Sequence, residues 1–196
     1  MTSCTQTVFE STLITKDDLP SGIIYSGQIR GAYHWKDIAG THISIISETG
    51  EYPSINEQYD DYRDAELFAS DYLLNDDSVV QNWLVYDAVK DCPVDMVTSF
   101  VHNTFQITDL DRNGIGEIWL MYKVGCFGDV SPVTLKIVVS QGDQKYVLHG
   151  RSRVKVSENE YVGGDYKFDS AFSTAPNEFR AYAKQLWANN VNENWR

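Results

Sequence analysis

From Gly22 onwards, apolar and polar residues alternate in short runs separated by turn residues, the period-two pattern of half-buried strands. Ile23, Ile24 and Tyr25 lead through Gly27 to Ile29, Tyr33 and Trp35, with Gly31 suited to a bulge or bend. After a turn over 37–41, residues 42–47 alternate again, so 23–49 reads as a hairpin. Residues 48–64 are polar, broken by Gly50 and Pro53, and read as loop. Residues 65–74 and 79–89 flank the turn-rich Asn75-Asp76-Asp77-Ser78 and read as a second hairpin. The Ala, Glu and Leu of 65–74 would also suit a helix.

Residues 100–108 form the strand that enters an acidic stretch, and 118–124 the strand that leaves it. In the second strand Ile118, Leu120 and Tyr122 point one way, and Trp119, Met121 and Lys123 the other. Both faces are largely apolar, which predicts a central position. A loop over 125–132 contains two glycines and Pro132, and 133–140 pairs with 145–156 across Gln141-Gly142-Asp143-Gln144. After a glycine-rich loop at 162–165, one helix is expected over 176–189. Phe179, Tyr182, Ala183, Leu186 and Trp187 fall at helical spacing, Pro176 suits the first turn, and Thr174 is placed to cap it. The expected fold is mainly antiparallel β, a meander of hairpins with a C-terminal helix packed on the sheet. Residues 22–196 make a single domain behind a tail, 1–21.

Composition narrows the function classes. A chain of 196 residues with 42% hydrophobic and 13% aromatic residues buries a core without staples. Sixteen basic against 28 acidic residues leave a net charge of −12 with no basic cluster, which excludes a nucleic-acid partner. No apolar run of about 18 residues is present, so no segment is expected to span a membrane. The acidic clusters Asp17-Asp18, Asp60-Asp61 with Asp64, and Asp76-Asp77 read as solvated loop tips, with extra weak calcium sites as an alternative that nothing in the spacing favours. Five tryptophans and twelve tyrosines offer rings that can stack on sugars, although most belong to a core or to cross-strand pairs.

The stretch 107–122, ITDLDRNGIGEIWLMY, is the one whose residue spacing calls for a particular chemistry. Asp109, Asp111 and Asn113 occupy positions 1, 3 and 5 of a tight loop, Gly114 and Gly116 let it turn, and Glu117 falls at position 9. A hard cation such as Ca2+ takes about six to eight oxygen ligands, which closely spaced carboxylates on a turning backbone supply. The loop differs from an EF-hand, which needs a bidentate Glu at position 12, where this chain has Leu120. It resembles the calcium loops set between two strands in FG-GAP-type repeats. That resemblance implies ligation by the side chains of Asp109, Asp111, Asn113 and Glu117 and by the carbonyl of Ile115. Glu117 replaces the more usual Asp, so its longer arm must fold back. The same residues would also serve an Asx-rich turn that needs no metal.

Three cysteines are present, none at metal-ligand spacing. Cys92 and Cys126 lie in loops beside strand ends, placed either for a disulfide or as two free thiols. A bridge closing that loop would contribute roughly 3–4 kcal/mol and would require an oxidising compartment. Cys4, behind small residues and before a polar stretch, looks like the lipidated cysteine of a bacterial lipoprotein whose signal segment is lacking. An ordinary cytoplasmic N-terminus is the other reading.

Catalytic signals are weak. His34, His42, His102 and His149 each sit in an expected strand, and no serine or cysteine motif marks a nucleophile. Asp129 in the GDVSP loop is a candidate carboxylate, or a turn-capping residue before Ser131-Pro132. Together, ITDLDRNGIGEIWLMY, CFGDVSP, TLKIVV and KYVLHGR are similar to a poorly characterised bacterial family, of Bacteroidetes-type organisms, labelled with surface polysaccharide biosynthesis. The resemblance covers about 23–187 and implies the cell envelope, periplasm or outer membrane, and a glycan or envelope-protein partner. It brings no catalytic residues. The expected function is therefore a non-enzymatic, calcium-stabilised envelope module, with a carboxylate-based polysaccharide hydrolase or transferase as the rival.

Overall fold

The structure, a computed structural model, describes residues 8–55, 61–76 and 78–193. Among them, the first antiparallel sheet holds β1 (Ser11–Leu13), β2 (Gln28–Lys36), β3 (Thr41–Glu48), β4 (Tyr52–Pro53), β5 (Arg63–Asn75) and β6 (Ser78–Cys92). Its order is β1-β2-β3-β5-β4, with β6 also paired to β5. The second sheet is built from β7 (Asp95–Phe100), β8 (Gln106–Thr108), β9 (Glu117–Phe127), β10 (Thr134–Gln141), β11 (Gln144–Arg151) and, after the small hairpin of β12 (Arg153–Ser157) and β13 (Glu160–Gly163), β14 (Tyr166–Phe168). Here the order is β14-β11-β10-β9-β7, with β8 also on β9. The helix α1 (Asn177–Asn190) follows.

Strand alternation sets the layers. Ile46, Leu67, Ala69 and Val85 from the first sheet meet Ile118, Leu120 and Tyr122 from the second. The opposite face of the second sheet presents Trp119, Met121, Leu135 and Ile137 to Phe179, Ala183 and Trp187 of α1. Sheet, sheet and helix thus form three layers, and β9 is buried on both faces, as its doubly apolar pattern predicts. Each fully buried Leu, Ile or Phe in these clusters contributes about 1.5–3 kcal/mol of transfer free energy. The Cys92 and Cys126 sulfurs are bonded at 2.07 Å, so a disulfide ties the end of β6 to the end of β9, one sheet to the other. Among the described residues no helix is long and apolar enough to cross a membrane.

Several local expectations change. Ile23 and Tyr25 are not strand; they cover the outer face of the first sheet beside Ala32, Ile43 and Ile45. The expected tail is partly structured, because β1 pairs with β2 and Val8 bridges Thr108 of the second sheet. The run 100–108 is interrupted. Asn103 adopts φ 59°, and the Thr104 hydroxyl donates to the Val101 carbonyl at 2.7 Å, so a turn separates β7 from β8 and carries His102 out of the strand. The loop over 48–64 contains β4, Asp64 is buried in β5 rather than solvated, and Cys92 and Cys126 belong to β6 and β9 rather than to loops. At 145–156 the strand breaks at Ser152, whose hydroxyl accepts the Val133 N–H. Pro176 is the N-cap residue of α1 rather than part of its first turn, and the Thr174 hydroxyl donates to the Ala171 carbonyl instead of capping the helix. Cys4 lies outside the described residues.

Candidate metal centre

The acidic loop closes β8 onto β9, with Thr108 opposite Glu117 in the register. Arg112 and Gly114 take the left-handed backbone, at φ 60° and 81°, which folds the chain back within a few residues. The Asp109 carboxylate accepts the Gly114 N–H at 3.3 Å, Asp111 accepts the Asn113 N–H at 3.2 Å, and Asn113 accepts the Ile115 N–H at 2.8 Å. The last two are Asx turns laid end to end, and the first closes the loop over five residues.

Glu117 folds back beneath them. Its carboxylate accepts the Thr108 hydroxyl at 2.6 Å and the Leu110 N–H at 2.9 Å, and Thr108 in turn accepts the Trp119 indole N–H at 2.9 Å. The residue is fully buried, and among the described residues no basic side chain pairs with it. Burial pushes its carboxyl up to about 7, while the Thr108 hydroxyl and the loop N–H groups pull the other way.

Oxygen atoms of Asp109, Asp111 and Glu117 all lie within 4.8 Å of one another, a triad able to hold a metal ion. Of the other two expected ligands, Ile115 directs its carbonyl to the same side, towards the Gln141 amide nitrogen at 3.5 Å. Asn113 instead spends its side chain on Ile115 and on Asp111. Sequence spacing missed Gln141. It sits opposite Glu117 on β10, and its amide nitrogen meets Asp111 at 3.1 Å and Glu117 at 3.4 Å. A residue from a neighbouring strand leaves no trace in the spacing of the loop itself.

A second polar cluster supports the loop from the first sheet. Asp37 accepts the Gly116 N–H at 2.9 Å, and Ile38 donates its N–H to the Gly114 carbonyl at 3.1 Å. His42 lies between two carboxylates, with Nδ1 2.9 Å from Asp71 and Nε2 3.2 Å from Asp37, and its ring stacks on Trp35 at 4.2 Å. Ser44 donates to Asp71 at 2.7 Å and accepts the Trp35 indole N–H at 2.9 Å. Burial opposes a charge on His42, but the hydrogen bonds and charges of Asp71 and Asp37 prevail and hold its pKa above the usual value. Alternation along 42–47 placed His42 on one face of a strand; it held no sign of the two aspartates that meet it there.

Contact between Gly116 and Trp35 is close enough to test. A β-carbon at 116 would lie 2.4 Å from the Trp35 ring, which is itself fixed by Ser44 and His42. Gly116→Ala is expected to cost about 1–3 kcal/mol in urea unfolding through overpacking. A change below about 0.5 kcal/mol would show that the first sheet does not brace the loop.

The remaining candidates disperse. His34, His102 and His149 are exposed, and Asp129 closes on the hydroxyl of Ser131 in an exposed turn, the turn-capping arrangement. In comparisons with family models, curated proteins and solved structures, nothing matches this chain.

Proposed function

We propose that this chain is a non-enzymatic module of the bacterial cell envelope, stabilised by Ca2+ at the 109–117 loop, that handles surface polysaccharide by binding glycan or a partner protein. The observation that carries the metal reading is Glu117: a fully buried carboxylate beside two others, with no basic partner among the described residues. A buried carboxylate is normally paired or bound to a metal. Oxygen-only donors at close range suit a hard cation, and Asp109, Asp111, Glu117 and the Ile115 carbonyl would hold it. The ion would pin the loop between two strands and keep the three carboxylates ionised. The inter-sheet disulfide, with Cys126 exposed, favours an oxidising compartment, and the resemblance to surface-polysaccharide proteins supplies the partner class.

Thermal melting with Ca2+ and with EGTA, on wild type and on Asp111→Ala, tests the metal. At a hundredfold excess over its dissociation constant, Ca2+ contributes about 2.7 kcal/mol, a rise of several degrees in Tm. Asp111→Ala is expected to lose that rise. An unchanged Tm in both proteins would leave an Asx-rich turn and remove the metal. For the partner, the full chain probed on immobilised bacterial glycans is expected to bind at least one of them, and binding to none would remove the glycan reading.

A further inference from the structure

At the end where β2 and β3 face the 101–105 turn, the sheets part around a cleft of about 750 Å3, large enough for a few sugar rings. Its cation is placed by the backbone. The β2–β3 register shifts between Ile29 and Gly31, and Arg30 is the extra residue, turned by the bulge towards the cleft. There its Nε donates to Glu48 at 2.7 Å. Glu48 is buried and also accepts the Phe100 N–H at 2.7 Å, so groups from both sheets fix the guanidinium. The two terminal nitrogens of Arg30 have no partner among the described residues, and its side chain is 46% exposed.

The facing wall carries unused polar groups beside an apolar one. The 101–105 turn sets His102 and Asn103 at the rim, Gln106 lines the wall below, and their side chains have no hydrogen-bond partner among the described residues. Beside them the Tyr33 and Phe105 rings stack at 4.2 Å and 10°. Gly31 makes room for that pair, since a β-carbon there would come within 2.7 Å of the Tyr33 ring. Glu48 is the one carboxylate among the cleft's lining residues, and it is already engaged by Arg30 and Phe100. A carboxylate pair for hydrolysis is therefore not what this cleft offers.

We propose that the cleft binds an acidic saccharide. The free nitrogens of Arg30 take the sugar carboxylate as a planar fork, His102, Asn103 and Gln106 take hydroxyls, and the Tyr33–Phe105 wall takes the C–H face of a ring. This rests on the glycan-binding reading above and adds its place and its ligand class.

The test is an NMR titration of the full chain with a galacturonate tetramer and with the neutral galactose tetramer of the same linkage. Arg30→Lys keeps a charge opposite Glu48 but removes the fork; Asn103→Gly keeps the left-handed turn but removes the amide. The acidic tetramer is expected to shift amides of 28–33 and 99–106, and to bind at least tenfold more tightly than the neutral one. Arg30→Lys is expected to weaken it about tenfold and Asn103→Gly several-fold. Equal binding of both tetramers in the cleft would overturn the acidic class, and shifts elsewhere would overturn the cleft, each leaving glycan binding intact. Silence with both tetramers, while the chain still binds another immobilised glycan, overturns this proposal alone. Silence in both experiments removes the glycan reading with it.

Discussion

Replacing His42 with leucine is expected to lower the unfolding free energy by about 3–5 kcal/mol, the usual cost of removing one partner from a buried ion pair. The imidazole stands between Asp37 and Asp71, whose side chains are 1% and 0% exposed. Leucine fills the space but leaves both carboxylates without their shared donor. His42→Gln, which can keep hydrogen bonds but not the charge, is expected to cost less. The pH dependence separates the two contributions. Because the folded pKa lies above the unfolded value of 6.5, the charged imidazole stabilises the fold fully below about 6.5, and that stabilisation is lost as pH rises through the raised pKa. Urea unfolding across that window should show a steeper slope in wild type than in His42→Gln, whose remaining slope belongs to Glu117 and ends near pH 7. A loss under about 1 kcal/mol in His42→Leu, with the wild-type slope retained, would mean that the network contributes little.

Removing the Cys92–Cys126 bridge, by alanine at both positions, is expected to cost roughly 3–4 kcal/mol in the chain-entropy account for a separation of 34 residues. The bridge joins the end of β6 to β9 across the inter-sheet core, so its absence also lets the sheets part at that end. Cys92 is buried and Cys126 exposed, which opens the bond to reductants from one side. Urea unfolding of the oxidised, the dithiothreitol-reduced and the double-alanine proteins measures the effect. If all three share one midpoint, the bridge adds no stability and no longer favours an oxidising compartment.

Much of the fold was legible because strand burial has a period of two, and that period survives in the chain. The split faces of β9 follow directly: Ile118 and Leu120 reach the inter-sheet core, Trp119 and Met121 the helix. The second hairpin, read as strands despite its helix-forming residues, spans β5 and β6, because Leu67 and Ala69 alternate inward against the second sheet. Boundaries were less legible. Asn103 breaks 100–108 through one left-handed residue, which an alternating apolar pattern does not register.

Local spacing placed Asp109, Asp111 and Glu117 in one loop, because residues at positions 1, 3 and 9 of a tight turn meet by chain geometry alone. Residue patterns within about ten positions therefore carried the strand character, the doubly apolar β9, the C-terminal helix and the acidic triad. Tertiary structure alone brought Gln141 to that triad, His42 between Asp37 and Asp71, and Arg30 across from the 101–105 turn. These contacts join residues far apart in the chain. Their partners are chosen by strand register and sheet packing, and a single bulge or a one-residue shift would send each side chain to the opposite face.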